Sequence, residues 1–334
     1  MKLSVGYSLV ARERFMDALE GWAGDIDELY FAWPGTPSGR ADSREIDPAY
    51  VRSRTDEILE DLRFASSLGM DLVLLLNGNC YGELSLSDKL ADSSRRIVDL
   101  IGDKVGRLTA VTTASPFLAQ SLSISHPGLG RRASVNMRVG TVEAMDYLGD
   151  LFDGFYVQKE RNRDLTSLRS LRDAATAGGK KLWLLANSGC LNWCPNQTFH
   201  DNLVSHELHL DVAARADFDP ALCRAYLQRE ADLAVLIERS NWIRPEEIGG
   251  YEAVADGIKL ATRMHARPDL IIAAYARRSY SGNVLDLLEP GFSAIFHPTI
   301  LRNEAFPEHW MAECRSGDRE AAQRVLSQVQ MTLA

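Results

Sequence analysis

The stretch Asp71-Leu72-Val73-Leu74-Leu75-Leu76 gives the clearest indication of the fold of this chain. It is short, almost continuously apolar, and lies between longer amphipathic patterns over Val51–Leu68 and Leu84–Ile101. A strand that is apolar on both of its faces is typical of a parallel sheet covered by helices on each side. The stretch therefore predicts one β-strand of a βα unit.

The same alternation of a short strand and a longer helix recurs along the chain, as in proteins built from βα units. The predicted strands are Leu3–Tyr7, Glu28–Trp33, Asp71–Leu76, Leu108–Thr112, Arg132–Met137, Gly154–Gln158, Leu182–Ala186 and Gly257–Leu260. Two further helices are predicted over Thr141–Leu148 and Leu165–Thr176. Eight strands separated by helices in 334 residues favour an α/β fold, a (β/α)8 TIM-barrel-like single domain over residues 1–334. A doubly wound open sheet is the alternative.

A long insertion interrupts this alternation after the seventh strand. It covers residues 190–241, and its second half, Pro220–Arg239, predicts a helix. Insertions after a barrel strand lie at the C-terminal mouth of the barrel, where active sites are built. Residues 292–334 predict a C-terminal closing segment that ends in a helix over Arg319–Met331.

The composition restricts the class of partner. The chain has 37 Lys and Arg against 46 Asp and Glu, which gives a formal net charge of −9. This acidic balance disfavours a large nucleic-acid surface, because phosphate binding needs a basic face. We find no signal peptide and no apolar run of the roughly 18 residues that a membrane span needs. We therefore expect a cytoplasmic protein whose five cysteines are reduced.

The loop Cys190-Leu191-Asn192-Trp193-Cys194-Pro195 carries the strongest chemical signal. A loop lets two thiolates converge on one iron or zinc ion, which soft sulfur ligands favour. Cys80 follows the third predicted strand at the same mouth, and Cys223 lies on the helix after the loop. The predicted metal and cofactor ligands are Cys80, Cys190, Cys194 and Cys223. Cys314 is then the spare thiol, although Cys80 and Cys223 taken singly also fit ordinary buried thiols.

The spacing of Cys190 and Cys194 is also the start of the motif of radical-SAM enzymes. That motif needs a third cysteine three residues later, where this chain has Gln197. It also follows the first barrel strand rather than a late one. We therefore exclude this class of enzyme.

Polar residues beyond the predicted strands are the candidates for catalysis and substrate binding. They are Asn136, Arg138, Glu160, His200, His206, Arg244, Lys259 and Arg263. The cations would suit an anionic substrate such as a dicarboxylate, and the histidines would suit acid–base work or a non-cysteine ligand position. Surface salt bridges and hydrogen-bonded core histidines are the alternative interpretation of each residue taken alone. Tyr7, Tyr30 and Trp33 fit either the wall of a pocket or core packing.

Several stretches also match a known pattern. Arg132-Ala133-Ser134-Val135-Asn136 is followed by Tyr147-Leu148-Gly149-Asp150, and the strand before Asn187 leads into Cys190. Tyr251–Arg263 contains Gly257-Ile258-Lys259-Leu260-Ala261-Thr262-Arg263. On these residues the chain resembles the collagenase-like peptidase family U32, over roughly residues 1–265. It departs from the family's Lys-Ile-Glu-Gly-Arg at Ala261-Thr262, where the family has Glu-Gly.

The resemblance implies a TIM-barrel-like domain with a [4Fe-4S] cluster on four cysteines. It also implies oxygen-independent hydroxylation, which family members perform on a ubiquinone precursor or on RNA with prephenate as the hydroxyl donor. Some members work in pairs, so a heterodimer with a related family member is a further implication. The fourth ligand stays open between Cys80, Cys314 and a non-cysteine group.

The expected function is therefore that of an iron–sulfur enzyme acting on a small molecule by oxygen-independent hydroxylation or a related redox reaction, with a prephenate-like oxygen donor. The alternatives are a collagenase-like peptidase and a non-catalytic iron–sulfur scaffold that works in a heterodimer. The sequence has no HExxH zinc pair and no G-x-S-x-G nucleophile turn, so peptidase is the second choice.

Overall fold

Eight parallel β-strands close into a barrel, with helices around it. The structure is a computed structural model that describes residues 1–39, 47–206, 221–230, 232–308, 310–313 and 317–332. Each strand pairs with the next one along the chain, and the eighth pairs with the first. The strands are β1 (Leu3–Gly6), β2 (Ile26–Ala32), β3 (Asp71–Leu76), β4 (Leu108–Thr113), β5 (Gly130–Ala133), β6 (Gly154–Tyr156), β7 (Lys181–Leu185) and β8 (Gly257–Leu260). The predicted (β/α)8 barrel is thus confirmed, and the alternative prediction of a doubly wound open sheet is wrong.

Helices connect the barrel strands, and three more lie in the described residues of the long insertion. The connecting helices are α1 (Arg12–Gly21), α2 (Pro48–Ser67), α3 (Asp88–Lys104), α4 (Pro116–Ser125), α5 (Val142–Asp146) and α6 (Leu165–Ala177). The insertion between β7 and β8 carries α7 (Gln197–Ser205), α8 (Leu222–Glu230) and α9 (Leu233–Arg239). A 3₁₀ segment over Pro245–Tyr251 then leads to β8, and α10 (Pro268–Arg277) follows it.

Local capping residues set the starts of four connecting helices. In each, a side-chain oxygen accepts a hydrogen bond from the backbone N–H three residues later, which satisfies one of the unpaired donors of the first turn. These capping residues are Ser87, Ser115, Thr141 and Asp164. Because Ser87 caps α3, this helix begins at Asp88 rather than at the predicted Leu84, which belongs to a 3₁₀ turn over Gly82–Leu84.

Two predicted elements are broken by polar side chains that bond to their own backbone. The predicted strand Arg132–Met137 ends at Ala133, because the Ser134 hydroxyl accepts from the N–H of Asn136 and starts a 3₁₀ turn over Val135–Met137. The predicted helix Pro220–Arg239 is two helices, since the Asp232 carboxylate accepts from the N–H of Ala234 and starts α9 anew.

The C-terminal segment forms a small sheet and further helices outside the barrel. Its elements are α11 (Ser293–Phe296), β9 (Thr299–Leu301), α12 (Trp310–Glu313), α13 (Arg319–Val329) and β10 (Gln330–Thr332). The predicted closing helix ends two residues early, because Gln330–Thr332 pairs antiparallel with β9. Cys314 lies outside the described residues.

Apolar side chains pack on both sides of the barrel wall. The main core lies between the strands and the helices, whereas a small separate cluster of Tyr30, Val73, Leu75 and Ala110 fills part of the barrel interior. Large interior side chains need close neighbours without a Cβ. A Cβ on Gly6 would lie 2.5 Å from the Tyr30 ring, and one on Gly154 would lie 2.5 Å from the Trp183 ring.

In the part of the chain that the structure describes, no helix is both long and apolar enough to cross a membrane.

Candidate functional site

A cavity of about 130 Å³ opens where the C-terminal ends of the barrel strands meet. Strand-end residues from opposite sides of the barrel line it, including Asn77 after β3, Asn136 after β5, Lys159 after β6 and Lys259 on β8. We call it the mouth cavity. It is smaller than the roughly 300–1,000 Å³ of pockets that hold drug-sized ligands, so it suits a small molecule.

The helix α7 of the insertion covers the mouth cavity. Gln197 and Asp201 on this helix line the cavity, and Gln197 Oε1 accepts a 3.1 Å hydrogen bond from Lys159 Nζ. At the other end of α7, the buried Ser205 Oγ accepts a 2.8 Å hydrogen bond from the N–H of Asn79, in the loop after β3. The helix is therefore held to loops on both sides of the barrel.

The cysteine loop is fixed to its neighbours by backbone contacts. The N–H of Gly189 donates to the carbonyl of Glu289 over 3.1 Å, and a Cβ at Gly189 would lie 2.5 Å from the carbonyl oxygen of Pro290. Asn187, fully buried, donates through Nδ2 to the carbonyl oxygen of Leu287 and exchanges hydrogen bonds with the backbone of Ala261. Asn187 thus ties the end of β7 to the end of β8, and the loop leaves the barrel from a rigid base.

Three thiols of the predicted set approach one another beside this cavity. Cys190 lines the mouth cavity, and Cys190, Cys194 and Cys223 are all partly exposed and unpaired. Burial, and after it the charges of Cys190 and Cys194, raise the pKa of the Cys223 thiol to about 11. Cys223 on α8 is therefore close enough to the C-x3-C pair for their charges to interact, and its place in a ligand set stays a prediction.

The fourth predicted ligand is not joined to this group by any described contact. Cys80 is partly exposed, and its Sγ accepts a hydrogen bond from the N–H of Gly82 over 3.4 Å. Among the described residues, no group of three or more His, Cys, Asp or Glu side chains has the spacing of a metal site. The donor type still fits a soft metal centre, because thiolates that repel one another gain from a shared cation.

Lys259 lies on the floor of the mouth cavity, where its side chain is held between two aromatic rings. Its Nζ lies 4.1 Å from the centre of the Tyr30 ring and 4.3 Å from that of the Tyr156 ring. Lys259 is only 7% exposed. Burial, then the guanidinium groups of Arg263 and Arg132, lower the pKa of Lys259 to about 7, while Glu28 acts in the opposite direction.

Below Lys259, a buried ion pair crosses the barrel interior. The Arg132 guanidinium on β5 donates to both carboxylate oxygens of Glu28 on β2, over 2.8 and 2.5 Å. The same guanidinium stacks on the Trp183 ring at 3.8 Å and lies 3.4 Å from the Tyr156 hydroxyl. Two donors meeting two acceptors in this way make a strong and directional contact.

The structure brings some of the predicted catalytic residues together at the mouth cavity. Asn136, Lys259 and Arg263 line it, and Arg263 donates to the Ser38 hydroxyl over 3.2 Å. Asn136 Nδ2 donates to Asn79 Oδ1 over 2.9 Å. These three are the candidates from the sequence that can contact a bound molecule.

Other predicted residues lie around the cavity rather than in its lining. The Glu160 carboxylate is buried and accepts from Lys159 Nζ at 3.0 Å and from the N–H of Trp193 at 3.4 Å, so it joins the loop after β6 to the cysteine loop. Arg138 adopts a left-handed backbone, with φ of 56°, and its Nη2 lies 3.9 Å from Asp201 on α7.

The two predicted histidines lie on or at the end of α7, outside the lining of the mouth cavity. His200 is partly exposed within the helix. His206 follows the last residue of the helix, and its Cε1 would lie 3.6 Å from a Cβ at Gly82, close to the loop that carries Cys80.

Arg244 lies elsewhere. It is buried beside a second cavity of about 320 Å³, outside the barrel, and its Nη1 donates to the carbonyl of Asn303 over 2.7 Å. Its guanidinium also stacks on the Phe306 ring at 5.1 Å. Arg244 therefore attaches the C-terminal segment to the barrel and does not line the mouth cavity. Tyr7 also points away, since its hydroxyl donates to the Asp61 carboxylate on α2 over 2.6 Å.

Several lining residues were missed in the sequence. They are Asn77, Lys159, Ser188, Gln197, Asp201 and Glu289. The rule that polar residues after barrel strands form the site would have found Asn77 and Lys159, which directly follow strands. No local signal marks Gln197, Asp201 and Glu289, because the folding of the insertion and of the segment after α10 brings them to the mouth.

The sequence and the structure of this chain were compared with those of known proteins. No family model matches the chain. A protein named "Uncharacterized protease MJ1657", from Methanocaldococcus jannaschii, is 24% identical over 278 residues, which cover 78% of this chain and 75% of that protein. The structure described as "The Structure of the U32 Peptidase Mk0906" matches with a TM-score of 0.55 and 17% identity, over 78% of this chain and 93% of that chain. The structural likeness shows that the two chains share the barrel fold, and both likenesses agree with the resemblance to the peptidase U32 family that the motifs indicate.

Proposed function

We propose that the chain is an iron–sulfur enzyme that performs a redox reaction on a small anionic molecule in the mouth cavity. The observation that supports it best is the approach of Cys190, Cys194 and Cys223 beside this cavity. Three thiols that lie close to one another beside the mouth cavity are more than the core packing of cysteines requires. In its specific form, the proposal is an oxygen-independent hydroxylation with a prephenate-like donor of the oxygen atom.

The cysteines would hold a [4Fe-4S] cluster, with Cys80, Cys314 or a non-cysteine group as the fourth ligand. Such a cluster supplies one-electron transfer and iron that can bind oxygen atoms of a ligand. The protein's own groups then bind and orient the substrate. Arg263 and Lys159 are cations that suit its carboxylates, and Asn136 and Asn77 supply amide donors and acceptors.

Two acids balance these cations in the lining. Asp201 on α7 and Glu289 in the segment after α10 both line the mouth cavity. A carboxylate beside bound substrate can accept a proton that the reaction releases. Because α7 covers the cavity, it also limits the access of water to the bound molecule.

Metal analysis of anaerobically purified protein tests the proposal. We expect a brown protein with about four irons and about four sulfides per chain. Cys190→Ser and Cys194→Ser should lose most of the iron, and Cys223→Ser should follow them. Comparing Cys80→Ser with Cys314→Ser identifies the fourth ligand. A colourless protein that takes up only zinc after anaerobic reconstitution would overturn the proposal.

A peptidase is the second candidate, and the names of the two similar proteins favour it. The small volume of the mouth cavity argues against a peptide substrate there, and its described lining contains no histidine. Peptide cleavage that survives both Cys190→Ser and Cys194→Ser would favour the peptidase over the iron–sulfur enzyme.

A non-catalytic scaffold in a heterodimer is the third candidate. It shares the cluster but needs no substrate. The substitution Arg263→Gln separates the enzyme from the scaffold. The enzyme should lose turnover with its iron content unchanged. A scaffold has no turnover to lose and should keep its iron content.

A further inference from the structure

Lys259 differs from every other charged group at the mouth cavity in how its nitrogen is surrounded. Its side chain is more than nine-tenths buried, yet no described residue accepts a hydrogen bond from its Nζ. A buried ammonium group has three N–H donors and loses much of its hydration, so leaving them unpaired is costly. The cavity that Nζ faces is where a partner for this nitrogen can bind.

The walls around Nζ fix its direction. The Tyr30 ring on β2 and the Tyr156 ring on β6 lie on two sides of it, and the Tyr30 hydroxyl is held by donating to the carbonyl of Leu260 over 2.7 Å. Gly6 leaves the room that the Tyr30 ring needs. A side chain held in this way presents its nitrogen to the cavity in one orientation, which favours a reaction there.

The charges around Nζ favour the neutral amine. Arg263 on the same strand end and Arg132 on β5 repel a proton on Nζ, and Glu28 on β2 is engaged with Arg132. The ring faces of Tyr30 and Tyr156 attract a cation, whereas burial and the two guanidinium groups favour the neutral amine. A desolvated amine next to another cation is the usual arrangement of a nucleophilic lysine.

We propose that Lys259 forms an imine with a small 2-oxo acid, whose carboxylate Arg263 binds. The Nζ lone pair attacks the carbonyl carbon, a C–N bond forms, and the carbonyl oxygen takes up a proton. That proton is one of the two hydrogens of the amine. The oxygen then leaves as water with the second amine hydrogen as the C–O bond breaks, and a C=N bond remains. No oxidant or reductant is consumed in this step.

The substrate class follows from the two groups together. The amine requires an aldehyde or ketone, and the planar guanidinium of Arg263 suits a carboxylate. A cavity of about 130 Å³ restricts the molecule to a few heavy atoms around these two groups. The inference rests on the proposed function only in using the same cavity for substrate, and it does not require the cluster.

Reductive trapping tests this proposal. The full chain, with and without iron, is incubated with glyoxylate or pyruvate and cyanoborohydride, and the labelled peptide is identified by mass spectrometry. We expect one adduct per chain, on Lys259, at equal yield in both preparations. Lys259→Arg and Lys259→Met should reduce it at least tenfold, and Lys181→Met, which removes an exposed lysine at the start of β7 outside the cavity lining, should retain it.

A second variant separates carboxylate recognition from amine reactivity. Arg263→Gln should lower labelling by glyoxylate at least tenfold relative to labelling by acetaldehyde, which has the carbonyl but no carboxylate. Labelling spread over surface lysines, or labelling of the folded Lys259→Arg chain equal to that of the wild type, would overturn the proposal. A chain that takes up no iron under anaerobic reconstitution, but still forms the adduct, would keep this proposal and count against the iron–sulfur enzyme.

Discussion

The nitrogen of Lys259 lies inside a barrel whose interior positions are usually filled by branched apolar side chains. Its place at the end of the eighth strand is enough to make it a candidate in the sequence. Its chemistry depends on Tyr30 and Tyr156, which come from strands more than 100 residues away along the chain. The residue could therefore be predicted, and its environment could not.

The low pKa of Lys259 predicts a pH dependence of stability. A lysine with a pKa of about 7 in the folded protein and 10.5 when unfolded binds fewer protons in the folded state between these values. The unfolded state thus takes up more protons, and the free energy of unfolding rises with pH across this window. The charged neighbours that shift the pKa of Lys259 are Arg263, Arg132 and Glu28.

We expect the wild type to gain up to about 2 kcal/mol relative to Lys259→Met between about pH 7 and pH 9. Urea denaturation of both proteins at several pH values measures this difference. A constant difference across the window would show that the amine is protonated throughout, contrary to its surroundings in the barrel.

At the scale of elements, the helix α7 decides what covers the mouth. The sequence places the insertion at the C-terminal face, and the structure shows Gln197 and Asp201 of this helix in the cavity lining. The caps of α3 to α6 could be predicted from local sequence, because a serine, threonine or aspartate bonds to the N–H three residues on. At Ser134 and Asp232 the side chain accepts from the N–H two residues on, and these breaks were missed because apolar patterns continue across both positions.

Ser205→Ala should loosen α7. The substitution leaves the partly buried N–H of Asn79 without its acceptor, so the free energy of unfolding should fall by about 1 kcal/mol. Amide hydrogen exchange should rise within α7 and in the loop after β3. Ser67→Ala is the control, since Ser67 is an exposed residue whose hydroxyl bonds only within its own helix. Equal effects of the two substitutions would contradict the role of Ser205.

At the scale of the whole molecule, the Glu28–Arg132 pair connects two strands across the barrel. The side chains are 7% and 11% exposed, and the pair lies in a small barrel that also holds Tyr156 and Trp183. Neither residue stands out as an interior group in the sequence, because a charge at the start of a strand is usually solvated. Closure of the barrel puts both on the inside.

Glu28→Gln should therefore be strongly destabilising, by about 3 kcal/mol or more, because it leaves the Arg132 charge buried without its partner. Replacing both residues by leucine should cost less than the single change. Arg107→Gln, which removes the exposed pair with Asp71, should cost less than about 1 kcal/mol. Urea denaturation measures the free energy of unfolding of each variant. Equal losses of this free energy for the buried and the exposed pair would contradict the prediction.

The sequence by itself determined the strand order of the barrel, most element positions and the edge at which the polar residues gather, because these depend on hydrophobic periodicity and local capping. Tertiary structure decided which of those residues share a site. Three contacts depend on chain segments that are far apart in sequence. Cys223 approaches Cys190 and Cys194, and Arg244 bonds to the C-terminal segment instead of lining the mouth cavity. Lys259 is enclosed by two tyrosines. Such contacts arise only when the barrel closes and the insertion folds over it, because the packing of distant segments leaves no local pattern in the sequence.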